Sequence, residues 1–355
     1  MFILLRQEGC PDEIGTGWSV KMKRTIVFLL IVLLLQGCKP SPEYAAIDGL
    51  TQGTTYHIVV ESSPVLNIED LRLKVEALLK EVDNSLSIYN DSSVISLINS
   101  NISDRTDTLF REVFRASAQV SEQCNGLFDI TVGPLVKAWG FGPDAHKKFD
   151  VTKLDSLLAL VGMDKVRLEG DRIIKADPGI FIDVNAIAQG YTVDLLIDML
   201  ARNGINDCLV EVGGEVRSSG NKNGKGWHVG IDRPVDGNYA PGSDLKATVR
   251  LDNSALATSG NYRKFYIEDG VKYSHTIDPR TGYPAKQTLL SATIIAPTCT
   301  VADAWATACM VGGKDTAISF IEKNDFLEGY LIFSDDKGNM KSWMSEGLRK
   351  KIEER

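Results

Sequence analysis

The chain has 355 residues, of which 43% are hydrophobic and 24% charged, and a formal net charge of −8. That balance belongs to a folded protein of one large α/β unit or two smaller domains. The acidic charge argues against a binder of the nucleic-acid backbone, because no Lys/Arg run after residue 25 is long enough to neutralise one. No solenoid repeat or extended low-complexity tract is present.

The first readable segment is an address. Lys23-Arg24 is followed by the apolar run Ile26 to Leu35 and then by Gln36-Gly37-Cys38. About ten apolar residues are too few for a finished transmembrane helix and fit a secretory signal. Leu34 to Cys38 resembles a bacterial lipobox, which makes Cys38 the expected lipidation site and mature first residue. Met22 is then the natural start, residues 1–21 an upstream extension, 22–37 the signal and 38–46 a tether. The expectation is a lipid-anchored protein on the periplasmic side of a bacterial cell envelope. Of the later cysteines, Cys124, Cys208, Cys299 and Cys309 form no C-x-x-C pair. They read as small buried residues more readily than as a zinc site, and a disulfide stays open.

Thr54 to Glu61 is rich in β-branched residues and predicts a strand. Ile68 to Asn84 has helical apolar spacing with Asn67 as its cap, and a second helix runs from about Asp107 to Cys124, stopped by Asn125-Gly126. Gly179 to Val184 predicts a buried strand, and Ala186 to Asn203 a helix stopped by Gly204. Cys208 to Val212 and the segment to Ser218 predict a hairpin across Gly213-Gly214. Trp227–Ile231, Ala247–Leu251, Lys264–Ile267 and Leu290–Ala296 are further strands, the last leading into a helix from Cys299 to Met310. Without a βαβ rhythm or a G-x-G-x-x-G after a strand, the reading is an α+β fold and not a dinucleotide-binding one.

Three segments can carry chemistry. Ile182 to Asp194 joins a strand to a helix start, where unpaired N–H groups suit an anion and Asp183 is either a cap or part of that site. Asp278-Pro-Arg-Thr-Gly282 is a tight turn, and His275 before it is an acid/base candidate or a structural histidine. Asp303 and Thr307 lie four apart and share a helix face. Their hard oxygens suit Mg²⁺ or Ca²⁺, while the alternative is a solvent-facing pair.

Taken together in order, these segments make the chain similar to the ApbE family, the FAD:protein FMN transferases. The resemblance runs from Gly49 to Gly313 through Thr51–Tyr56, Ser87–Asn99, Gly126–Leu135, Asp183–Tyr191, Glu211–Glu215, His275–Gly282 and Ala302–Thr307. It implies a single ApbE-like (T-fold-like) α+β domain over 47–345, with mixed sheets and packed helices. It also implies Mg²⁺ held by Asp303, Thr307 and the Ala186 carbonyl. FAD contacts are expected at Gln52, Tyr89, Leu127, Phe128, Asp129, Asp183, Gln189 and Ile277, with Asp129 at a helix-to-strand junction. His275 is the expected base that deprotonates a threonine hydroxyl of an acceptor flavoprotein, with AMP leaving. The sequence departs from the family at Gln52, where Met is frequent, at Gln189, where Lys or Glu is, and at Ala306, which is acidic in some relatives. The competing readings are a Mg²⁺-dependent FAD pyrophosphatase, with water as nucleophile, and a flavin-carrying lipoprotein.

Overall fold

The computed structural model describes residues 43–141, 149–235, 242–261, 265–268, 271–274, 276–285 and 288–355. The expected upstream extension, signal and Cys38 lipidation site lie outside these residues, as does His275. The first strand, β1 (Tyr44–Thr51), begins inside the segment read as a tether. It pairs with β2 (Thr54–Glu61) through a two-residue turn, Gln52-Gly53, with φ of 49° and 71°. Two left-handed residues match the twist of a tight hairpin, although glutamine is less at ease there than asparagine.

Three helices follow. Asn67 accepts from the Glu69 and Asp70 N–H groups to open α1 (Ile68–Leu86). After α2 (Val94–Asn99), the Asp107 carboxylate accepts from the Phe110 N–H to open α3 (Thr108–Gln123). A 3₁₀ turn (Ile130–Val132) then runs into α4 (Gly133–Ala138), so Asp129 lies between helical segments and not at a helix-to-strand junction. The short α5 (Leu154–Leu158) precedes a hairpin of β3 (Val166–Glu169) and β4 (Arg172–Lys175). Helix α6 (Ala188–Arg202) leads to β5 (Cys208–Val212) and β6 (Glu215–Ser219), the predicted hairpin. Strands β7 (Trp227–Asp232), β8 (Leu245–Leu251), β9 (Ala255–Gly260), β10 (Phe265–Glu268), β11 (Val271–Ser274) and β12 (Leu289–Ala296) precede α7 (Cys299–Gly312) and α8 (Lys314–Lys323). The chain closes with β13 (Glu328–Ser334), β14 (Met340–Met344) and β15 (Ile352–Glu354). The last pairs with β8, so the fold runs past the predicted end at 345.

The strands form an eight-stranded sheet ordered β1-β2-β5-β6-β9-β12-β13-β14, a three-stranded sheet β15-β8-β7 and two hairpins. All pairings among the described residues are antiparallel, so the α+β expectation stands and the mixture lies in sheet size. Period-2 alternation gives the large sheet two apolar faces along its centre. Leu256, Ile295, Tyr330 and Ile332 meet Ile231, Val249 and Leu251 of the small sheet. On the opposite face Ala257, Ile294 and Leu331 join the helical core. There α7 is buried nearly all round, with Trp305 at its centre and its ring edge-on to Phe320 at 5.2 Å. Such a helix belongs in a core. Its one charged residue, Asp303, therefore needs a reason to be there.

The predicted strand Gly179–Val184 is not a strand. Ile180, Ile182 and Val184 are buried in alternation, as the pattern implied. The backbone, however, is held by a side chain: Asn99 donates to the Ile182 carbonyl (2.8 Å) and accepts from the Ile182 N–H (2.7 Å). A carboxamide reproduces both halves of a ladder bond, so no neighbouring strand is needed. All four described cysteines are buried free thiols.

Candidate active site

The Asn99 clamp aims the chain at the start of α6. The Asp183 N–H donates to the Ile130 carbonyl (2.7 Å), and the Ile187 and Ala188 N–H groups both donate to Val184. Helix α6 begins two residues later than its sequence suggests, and its cap position, Ile187, offers no side-chain acceptor. The cause is Gly190. Its N–H would reach the Ala186 carbonyl in a longer helix, but it donates instead to Asp303 Oδ2 at 3.0 Å. Among the described residues the Ala186 carbonyl then receives no hydrogen bond, and the Gln189 N–H has no acceptor. A helix start with an open carbonyl beside an open N–H is polar in both senses.

Asp303 is only 6% exposed, which overturns the solvent-facing reading. Burial pushes its carboxyl pKa up to about 7, with the Asp194 charge adding to the shift. Beyond the Gly190 N–H it has no ion-pair partner among the described residues. Close packing enforces the contact. A Cβ on Gly190 would lie 2.4 Å from the Cys299 carbonyl oxygen and 2.8 Å from Asp303 Cβ, so only glycine fits.

The two helices cap one another. Asp194 of α6 accepts from the Cys299 N–H (2.9 Å), the Thr300 N–H (2.8 Å) and the Thr300 hydroxyl (2.5 Å), while Arg217 donates to it at 2.6 Å. Sequence reading missed Asp194 and Arg217. The signal was a lone acid among Val193, Leu196, Ile197 and Leu200 on a helix face otherwise apolar. One turn past Asp303, the Thr307 hydroxyl lies 3.3 Å from that of Ser259. A buried carboxylate without a cation, a hydroxyl and an undonated carbonyl form a hard-oxygen set that fits Mg²⁺. No cluster of three or more His, Cys, Asp or Glu suited to a metal occurs among the described residues. Such a site must therefore draw on backbone and hydroxyl oxygens.

Several other expected residues gather around the α6 start. Gln52 donates to the Thr192 hydroxyl at 2.7 Å, tying the β1–β2 turn to α6. Gln189 lies over the Gly213 turn, where its amide nitrogen would be 2.5 Å from any Cβ, and Thr54 borders the same spot. Asp183 does not cap α6; it closes a local turn by accepting from the Asn185 N–H (2.9 Å), and burial pushes its pKa up. Tyr89 is 65% exposed and lies near Asp183 and Asn185. Burial of its hydroxyl, then the Asp183 charge, raises its pKa.

The side chains of three residues expected to contact FAD pack or hydrogen-bond within the protein. Leu127 and Phe128 are buried in the helical core. Asp129 accepts from the Thr131 N–H (2.7 Å), the Thr131 hydroxyl (2.6 Å) and the Met163 N–H (3.0 Å), so its carboxylate braces the chain. Apolar packing claimed the first two, and a turn cap the third. Ile277 is buried beside Leu135, Trp139 and Val161. After it, Gly282 donates to the Asp278 carbonyl (2.8 Å) with φ of 75°, the predicted tight turn. The Trp139 indole N–H holds that turn through the Gly282 carbonyl at 2.7 Å.

The ApbE family profile matches residues 52–331. An FAD:protein FMN transferase of Vibrio cholerae is 34% identical over 327 residues, covering 89% of this chain and 95% of the relative. That of Escherichia coli K12 is 31% identical over 339 residues, covering 90% and 95%. Among solved structures, the flavin transferase ApbE from Vibrio cholerae superposes with a TM-score of 0.78 at 31% identity, over 87% of this chain and 99% of that one. The apo flavinyl transferase ApbE of Pseudomonas stutzeri gives 0.78 at 31% identity, over 88% and 98%.

Proposed function

The chain belongs to the ApbE family, and we propose that the α6–α7 junction is where it moves FMN from FAD onto an acceptor threonine. It is an FAD:protein FMN transferase, as its relatives are named. The observation supporting this location is the buried Asp303 carboxylate, which lacks a cation, at a helix start whose Ala186 carbonyl accepts no hydrogen bond.

In the reaction the acceptor hydroxyl oxygen attacks the FMN-side phosphorus of FAD. The phosphorus–oxygen bond to AMP breaks, and AMP leaves with the electron pair. His275, from its place before the Asp278 turn, is our candidate to take the hydroxyl proton. Asp303, Thr307 and the Ala186 carbonyl would hold Mg²⁺, which when bound neutralises charge on the pyrophosphate oxygens. The free Gln189 N–H, at the positive end of α6, favours a phosphoryl oxygen. Tyr89 offers an exposed ring against which the isoalloxazine can lie. Two parts of this reading come from the sequence alone: the lipid anchor at Cys38, and a periplasmic, membrane-tethered location.

The test incubates the chain with FAD, Mg²⁺ and an acceptor flavoprotein, then weighs the acceptor. The expected result is an FMN-sized gain, with release of AMP, that Asp303→Ala abolishes. Free FMN and AMP beside an unmodified acceptor would replace transfer with hydrolysis. Unchanged turnover in His275→Ala would remove the base assignment alone.

A further inference from the structure

On the strands between and after α6 and α7, a basic surface assembles in this acidic chain. Register places His228 of β7 opposite Arg250 of β8, and the Arg250 N–H donates to the Lys351 carbonyl (2.8 Å), which extends the same row. All three residues are exposed, whereas the adjacent Trp227, Val249 and Leu251 face the core. Arg250 and Lys351 are cationic and His228 offers a ring nitrogen beside them, so the row suits an anionic partner. Beside it, the turn between β6 and β7 presents exposed Lys222 and Lys225, neither with a carboxylate partner among the described residues. Among the acids nearby, Asp252 pairs with Arg250 at 3.2 Å, Asp207 accepts from the Asn221 N–H at 2.6 Å, Asp48 pairs with His57 and Glu211 stands opposite His57, while the exposed Glu43 and Glu353 border the surface.

Two features say what the partner is. Tyr44, the first residue of β1, is fastened to this turn. Its hydroxyl accepts from the Asn223 N–H (3.0 Å), its ring meets Trp227 edge-on at 5.8 Å, and the Lys222 ammonium lies 5.2 Å from the Tyr44 ring and 5.3 Å from that of Trp227. Only five residues separate Tyr44 from Cys38, a reach of about 20 Å at full extension. The lysines therefore stand close to the point where the chain would enter a membrane. A cavity of about 490 Å³ lined by His57, Lys222, Lys225, Trp227 and His228 also opens here, with room for a phosphodiester headgroup.

We propose that the Lys222–Lys225 turn and the His228–Arg250–Lys351 row lie against anionic phospholipid headgroups and orient the tethered enzyme on its membrane. The proposal rests on the reading of Cys38 as the lipid anchor. The lipid at Cys38 would hold the chain at the bilayer without fixing its orientation, and lysines attracted to anionic headgroups would set which face lies down.

The experiment uses the full chain carrying Cys38→Ser, mixed with vesicles of phosphatidylcholine alone or with phosphatidylglycerol, and reads sedimentation. The expected result is a preference for phosphatidylglycerol that high salt removes. The pair Lys222→Glu and Lys225→Glu should reduce that preference at least tenfold, with transfer to a soluble acceptor unchanged in vesicle-free solution. An unaltered lipid preference in the charge-reversed chain overturns the proposal. So does a raised KM for the acceptor without a change in partition, which assigns the surface to protein docking. The anchor is tested apart from this by the mass of the chain isolated from bacterial envelopes. An unmodified Cys38 there would sink the anchor while the vesicle result still decides the surface.

Discussion

Replacing Asp303 by Asn should stabilise the metal-free protein while destroying its function. The carboxyl is buried, and its pKa is raised from the usual 3.8 to about 7. A raised carboxyl is not penalised below its unfolded value, because both states are then protonated. As pH climbs from about 4 to about 7 the unfolded chain gives up its proton and the folded one keeps it, so stability falls through that window and is flat above it. Three pKa units correspond to a penalty on the order of 4 kcal/mol. An amide keeps the Gly190 contact but brings its own smaller desolvation cost, leaving a net gain of about 2 kcal/mol. For a fold of this size that raises the melting temperature by roughly 3 °C at pH 8, and the gain reverses to a loss of about 2 kcal/mol near pH 4, where the wild-type carboxyl is protonated in both states and only the amide's cost remains. The assay is a thermal scan at both pH values, without metal and with excess Mg²⁺. Saturating Mg²⁺ at a hundredfold over its Kd should stabilise the wild type by about 2.7 kcal/mol and leave Asp303→Asn unmoved. A variant less stable than wild type at pH 8 without metal, or still stabilised by Mg²⁺, would refute the reasoning.

Four further outcomes follow from the same junction. Asp194→Ala strips the α7 start of its acceptor and Arg217 of its partner; the expected loss is about 3 kcal/mol, read as a lower urea midpoint. Gly190→Ala drives a methyl into Cys299 and Asp303, costing about 1–3 kcal/mol and raising the Mg²⁺ concentration needed for half-maximal transfer. Asn99→Ala leaves both polar groups of the Ile182 peptide unpaired, with a loss of roughly 2–4 kcal/mol by denaturant titration and weaker FAD binding through Asp183. Tyr89→Ala, at an exposed site, should change stability by less than about 0.5 kcal/mol and raise the KM for FAD. A marked fall in its melting temperature would mean that the ring packs rather than receives substrate.

Much of this protein was legible from local sequence, because local physics sets it. Asn67 and Asp107 satisfy the first N–H groups of the helices they precede, Gly213-Gly214 turns a hairpin, and Gly282 takes the left-handed position of the Asp278 turn. The order of the motifs named the family. Other features were settled only when distant segments met. Ile180–Val184 has a strand's alternation, yet Asn99, more than eighty residues away, holds its backbone. Asp303 and Thr307 look like a surface pair on spacing alone. Burial of α7 within the core, and the diversion of the Gly190 N–H from Ala186 to Asp303, make them a candidate cation site. The basic row joins residues from 222 to 351, which lie in separate segments of the chain. Caps and turns close over a few residues and are written where they act. Solvation and charge depend on what the fold brings alongside, and only the tertiary structure decides that.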